Sequence, residues 1–205
     1  MVGVAQAGIT ISLAITGASG AAVGRRALAM LAADERVARV DFVASAHARR
    51  VAREELGLAE GTAEFAAQLL GEAEGLAKIH SHDPANIGAA IASGSYASAG
   101  MLIVPCSMGT LAAIAHGLSD NLIERAADVC LKERRPLLLA ARETPLSLIH
   151  LRNMVAVTEA GARVFPVIPA FYDRAASGEA AVTQFVARML AHVGLPQRDA
   201  FAWRG

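Results

Sequence analysis

The chain has 205 residues, with 19 lysines and arginines balanced by 19 aspartates and glutamates. That length sustains one sizeable domain with a core of its own, and the zero formal charge leaves no electrostatic case for nucleic acid or an anionic membrane as a partner. An anionic ligand must therefore be met by a local site rather than by bulk charge.

Only two cysteines occur, Cys106 and Cys130, far apart in the chain. They do not make a secreted disulfide framework, and the expectation is buried, reduced thiols in a cytoplasmic protein. Residues Met1 to Gly8 lack the basic start and long apolar run of a signal peptide. Ser, Gly, Pro or a charge breaks every long apolar stretch, so no membrane span is expected. Residues 1–8 read as a loose tail and residues 9–205 as a single domain.

In chain order, Ile9 to Thr16 is a β-rich run that ends in Gly17-Ala18-Ser19-Gly20 and passes into an alanine-rich helix, Ala21 to Ala33. Val40 to Ser45 is a second strand, followed by a helix from Ala46 to Leu56. Residues 57–86 carry one helical signal near Ala63 to Leu70 and otherwise read as loop. Met101 to Pro105 is a buried strand whose exit turn is Cys106-Ser107-Met108-Gly109-Thr110, with a helix beginning at Leu111. A helix from Asp120 to Lys132, a strand from Pro136 to Ala140, a helix from Ser147 to Glu159, a short strand from Val164 to Val167 and a helix from Glu179 to Val193 complete the pattern.

Short apolar runs alternating with helices predict βαβ units: a three-layer α/β/α fold, Rossmann-like or flavodoxin-like, around a parallel sheet. In such sheets ligands sit beyond the carboxyl ends of the strands, which directs attention to residues 17–20, 45, 105–110 and 142–145.

Each of these turns has two readings. Gly17-Ala18-Ser19-Gly20 admits close backbone approach and offers unpaired N–H groups to an anion; it is equally a plain tight turn with Ser19 as helix cap. Ser45 is a helix cap. Ser107 and Thr110 cap a helix or bond a flat polar ring or a phosphate. Lys132-Glu133-Arg134-Arg135 is a solvated helix end. Arg142 and Glu143 form a structural ion pair or place an acid/base group at a phosphate site. Tyr172 is core or ligand-facing, and Arg188, in a largely apolar helix, implies a buried anion partner. His80 and His82 form an H-x-H pair without a third ligand nearby, and no metal is expected there.

Together these segments resemble the UbiX-type flavin prenyltransferases. The resemblance is carried by Ile15 to Gly20, Ile91 to Ser95, Pro105-Cys106-Ser107, Asn121 to Val129, Leu131 to Pro136, Arg142 to Ser147, His150-Leu151 and Pro169 to Tyr172. It implies a homo-oligomer, usually a dodecamer, with sites between subunits. It also implies FMN lying across Gly17, Ala18 and Ser19, with Ser45, Ser107, Met108, Gly109, Thr110 and Arg142 completing its site. Dimethylallyl phosphate would be held by Tyr172 and Arg188, while Lys132, Arg125, Glu55 and Glu143 match the polar active-site residues. Glu54 adjoins Glu55, and one gap would exchange them.

The implied reaction joins a dimethylallyl group to N5 and C6 of reduced FMN without a metal, and the prenylated FMN serves UbiD-type decarboxylases as cofactor. The aspartate-rich magnesium motif of many prenyl transferases is missing, so cationic side chains would have to take the place of the metal. The chain departs from many relatives at Gly109, often lysine, at Val23, where an aromatic is lost, and at Ile87, where some carry tryptophan. A cysteine decarboxylase on the same fold is disfavoured because its turn typically reads P-A-S-A-N-T, unlike residues 105–110. A bare FMN carrier would need no second phosphate site, whereas an accessory role beside a decarboxylase is compatible with the implied reaction, because prenylated FMN serves such enzymes.

Overall fold

The computed structural model describes residues 8–58, 65–71, 74–170 and 177–202. In chain order the elements are β1 (Ile9–Ile15), α1 (Ala21–Ala33), β2 (Val37–Ala44), α2 (Ala46–Leu56), α3 (Phe65–Leu70), β3 (Ile79–His82), β4 (Met101–Cys106), α4 (Met108–Ala115), α5 (Leu122–Lys132), β5 (Leu137–Ala141), α6 (Leu148–Glu159), β6 (Arg163–Val164) and α7 (Gly178–Ala191). Among the described residues all strand pairs are parallel and form one sheet in the order β3-β2-β1-β4-β5-β6.

The central strands read as unbroken apolar runs because helices cover both of their faces. Every residue of β4 and of β5 is buried. One core cluster joins Leu13, Leu102 and Leu138 to α1, α2, α3 and α7; the other joins Ile103 and Leu139 to α4, α5 and α6. The result is the three-layer α/β/α arrangement expected.

Two strands differ from expectation. β3 falls in the stretch read as loop: Ile79-His80-Ser81-His82 has one apolar residue, because an edge strand needs only a part-buried face. β6 spans two residues rather than Val164 to Val167, although Val167 still donates its N–H to the carbonyl of Ala141 at 2.9 Å. Of the helix expected from Ala63, Phe65–Leu70 is helical, and residues 63 and 64 lie outside the described residues. So do residues 1–7 of the expected tail.

Strand order reverses between β1 and β4, and the helices that follow them leave toward opposite faces of the sheet. That divergence opens a crevice at the carboxyl ends. Gly24 lets α1 sit close to the sheet there, since a Cβ would stand 2.6 Å from the carbonyl oxygen of Val104.

Candidate active site

The rim of the crevice is stitched across four strands by backbone hydrogen bonds. The N–H of Ser45 donates to the carbonyl of Ile15 at 3.0 Å, that of Thr16 to Pro105 at 3.2 Å and that of Arg142 to Cys106 at 3.2 Å. These bonds bring Gly17, Ala18, Ser19, Ser45, Ser107 to Thr110, and Arg142 onto one edge. Thr16 is 2% exposed and fastens the two central exits: its hydroxyl donates to Pro105 O at 3.0 Å and accepts from Ser107 N at 2.8 Å. Sequence reasoning saw Thr16 only as the end of a strand; a hydroxyl closing a buried apolar run was its signal.

Each small residue on this rim has a local reason. A Cβ on Gly17 would collide with Cβ of His47 at the start of α2, so glycine permits the two exits to approach. Ser45 caps α2 by accepting from Ala48 N at 3.1 Å. Ser107 caps α4 by accepting from Thr110 N at 3.3 Å, and its hydroxyl donates to Thr110 Oγ1 at 3.1 Å. Gly109 has open space around its would-be Cβ. Val23 is buried against the core, and Ile87 is 56% exposed.

Ser19 does not cap α1. The N-cap is Gly20, at φ 111°, and it has no side chain to offer. The cap comes from Glu55 at the far end of α2, whose carboxylate accepts from Gly20 N at 3.0 Å and from Ala21 N at 2.7 Å. Burial raises the Glu55 pKa, but the Ser19 hydroxyl, the Ala21 and Gly20 amides and the charge of Arg142 outweigh it and hold the carboxyl below its usual range. Its neighbour Glu54 turns outward and pairs with Arg50 at 3.0 Å. Glu55, rather than Glu54, therefore stands at the crevice.

The other polar residues named from sequence do not gather there within one chain. Glu143, exposed, lies just past β5 and accepts from Thr144 N at 3.0 Å. Lys132 ends α5, before β5 begins, so the length of β5, about 13 Å from Leu137 to Ala141, separates their levels. Arg125 lies two turns earlier on α5 and pairs with Asp128 at 2.7 Å. Arg188 sits in the last turn of α7 and is exposed within the single chain. That turn neighbours Arg163, at the starting end of β6, which donates to the carbonyl of His192 at 3.0 Å. Tyr172 lies outside the described residues.

His82 Nε2 bonds Asp41 Oδ1 at 2.8 Å. Asp41, fully buried in β2, also accepts from Arg39 Nε at 2.9 Å and from the Tyr96 hydroxyl at 2.8 Å. Burial pushes its pKa up, yet the bonds from His82, Arg39 and Tyr96 prevail and bring it to about 2. A cavity of about 490 Å³ between α1, α3 and α7, lined by Arg25, Arg26 and Gln68, is bounded by helices rather than strand exits.

A doubly wound sheet with amide, hydroxyl and guanidinium groups converging at its switch point is the frame of a nucleotide- or flavin-type ligand site. The flavoprotein family profile matches residues 3–192, and the chain belongs to that family. Within it the chain stands with the UbiX flavin prenyltransferases. It is 52% identical over 124 residues to flavin prenyltransferase UbiX of Neisseria meningitidis serogroup B; the match covers 60% of this chain and 66% of that protein, just under two thirds. It superposes on AnUbiX (PadA1), solved in complex with FMN and dimethylallyl pyrophosphate, with a TM-score of 0.84 and 42% identity over 97% of this chain and 98% of that one. A dodecameric FMN-dependent UbiX-like decarboxylase from Escherichia coli O157:H7 gives a TM-score of 0.84 at 38% identity, over 96% of this chain and all of that chain.

Proposed function

We propose that this protein is a metal-independent flavin prenyltransferase that transfers a dimethylallyl group from dimethylallyl phosphate to N5 and C6 of reduced FMN. The observation that carries this reading is the convergence of Gly17 to Ser19, Ser45, Ser107 to Thr110 and Arg142 on one crevice. The crevice suits a flavin phosphate ester, having amides at the starts of α2 and α4 for the anion, those of α1 being taken by Glu55, hydroxyls for ring and ribityl oxygens, and Gly17 for close approach. Reduced FMN, when bound, would supply nucleophilic N5, which takes the allylic carbon as phosphate departs, and C6, which exchanges its proton for the other end of the unit as that unit's double bond takes up a proton.

The chain's own residues do the rest. Arg142 faces Glu55 across the α1 start and holds negative charge at the rim. Glu143, exposed beyond β5, moves a proton between the reacting groups. Tyr172 and Arg188 hold the dimethylallyl phosphate, and Lys132 and Arg125 meet the charge that grows as phosphate leaves. One cation about 4 Å from that charge contributes about 4 kcal/mol at an effective dielectric of about 20.

Lys132 ends α5 and Arg188 ends α7, at the level where β5 and β6 begin, while Glu143 follows the end of β5; on this reading both cations reach a crevice from a neighbouring copy. The exposed apolar band of α6 supports assembly: Leu148 is 60%, Ile149 67% and Val155 57% exposed. A closed dodecamer with sites between subunits satisfies both observations. Its product serves UbiD-type decarboxylases, and its place is the cytoplasm; no described helix is long and apolar enough to cross a membrane.

The deciding experiment is anaerobic incubation of the protein with reduced FMN and either dimethylallyl phosphate or the diphosphate. Mass spectrometry should find flavin carrying one added five-carbon unit, formed faster from the monophosphate. Unmodified flavin from both donors, with folded protein, would overturn this reading and favour an FMN carrier.

A further inference from the structure

The end of α5 is shaped around Lys132 by a turn from elsewhere in the chain. After Lys132 and Glu133, Arg134 takes a left-handed conformation at φ 57° and sends Arg135 back toward residues 93–96. There the Arg135 guanidinium donates to the carbonyl of Tyr96 at 2.8 Å and to that of Gly94 at 2.6 Å. Tyr96 in turn anchors its hydroxyl on the buried carboxylate of Asp41 at 2.8 Å. The turn is thus latched at both ends, to the helix it faces and to the sheet beneath it.

The ammonium of Lys132 and the carboxylate of Glu133, paired at 2.5 Å, lie directly on this turn. A Cβ on Gly94 would stand 2.6 Å from Lys132 Nζ and would collide with the Glu133 carboxylate. Gly94 has no left-handed φ that would demand glycine. The missing side chain makes room for the ion pair. The Lys132 side chain is 45% exposed, and its ammonium lies against the turn.

We propose that Gly94, Tyr96 and Arg135 are positioning residues for Lys132. The 93–96 turn is a seat that holds the ammonium beside Glu133 in one place, from which it meets the phosphate handled by the neighbouring subunit. This rests on the reading of Lys132 as the cation that meets departing phosphate. The chemistry asks for such a seat, because a lysine on a flexible stem loses its effect on a transition state when it wanders by an ångström.

The test is a double-mutant cycle on the assembled enzyme, combining Gly94→Ala, or Tyr96→Phe should that protein fail to fold, with Lys132→Ala. Gly94→Ala is expected to lower kcat by between about 10-fold and 100-fold with FMN affinity unchanged, and to cost nothing further once Lys132 is alanine. Equal losses in both backgrounds, or an unchanged rate in Gly94→Ala, would overturn the proposal. The NMR signal of the Lys132 ammonium gives a readout independent of turnover: Gly94→Ala should shift it, and an unmoved signal also overturns the proposal. A wild-type protein that makes no prenylated flavin, yet whose ammonium signal shifts in Gly94→Ala, would contradict the prenyltransferase reading and leave the seat itself standing.

Discussion

The carboxylate of Glu55 stands 2.7 Å from the amide nitrogen of Ala21, so the amino end of α1 is closed by a charge from the far end of α2. Helix starts collect anions, and here the protein supplies one. The arrangement holds Ser19, Arg142 and Glu55 in one electrostatic unit at the crevice.

Replacing Glu55 with alanine should cost about 1 kcal/mol of stability, as for loss of a helix cap. The pH dependence has a definite sign. The folded carboxyl sits below its ordinary value of 4.5, so the stabilisation is present above that value and fades as the pH falls below it. Thermal melts of wild type and Glu55→Gln, compared between neutral pH and about pH 3, should converge at the acid end. A constant gap would remove the charge from the explanation.

Glu143→Gln and Lys132→Ala should each retain FMN, and each should slow prenyl transfer by at least about 100-fold, the low end for a positioned acid–base group. Because the two residues lie at opposite ends of β5, a mixed assembly of the two inactive variants should regain turnover at sites that receive both native side chains. Activity assays after co-expression check this; no recovery in verified mixed oligomers would mean that the two groups act from one chain.

Asp41→Asn should lower stability by about 2 kcal/mol, in the range for hydrogen bonds to a buried charge. The Asp41 pKa falls from 3.8 to about 2, so its contribution is complete above pH 3.8 and is lost as the pH drops toward 2. Chemical denaturation at pH 7 and at pH 2.5 should show the wild-type advantage shrinking in acid.

Gly109→Ala is expected to raise stability by about 0.5 kcal/mol, since α4 gains a better helix former and the unfolded chain loses freedom. Open space surrounds that Cβ in the free chain, and flavin seated on residues 107–110 meets the added methyl, so FMN affinity should fall. Calorimetric titration checks this, and an unchanged affinity would move flavin away from this residue.

The central strands were legible because burial on both faces leaves a continuous apolar run, as in Met101 to Pro105. β3 was not, because only one face of an edge strand needs apolar residues and His80 and Ser81 are exposed. The rim turns followed from the fold rule alone. The choice between Glu54 and Glu55 did not, since adjacent helix residues point about 100° apart and only the packing of α2 beside α1 decides which carboxylate turns inward. Asp41 escaped notice inside Val40 to Ser45. A lone aspartate in an apolar strand, with Arg39 on the same face, marked it, but Tyr96 and His82 are brought to it by the chain's path. Lys132 and Arg188 could be named by resemblance, yet nothing in their spacing reveals that they occupy the opposite end of the sheet from Glu143.

Thr16 has one further consequence. With its single hydroxyl spent on the strand that flanks it, the gap between the two central exits has its width before any guest arrives. Little disorder remains there to be frozen out on capture, so grip comes from fit already in place rather than from closing around the guest.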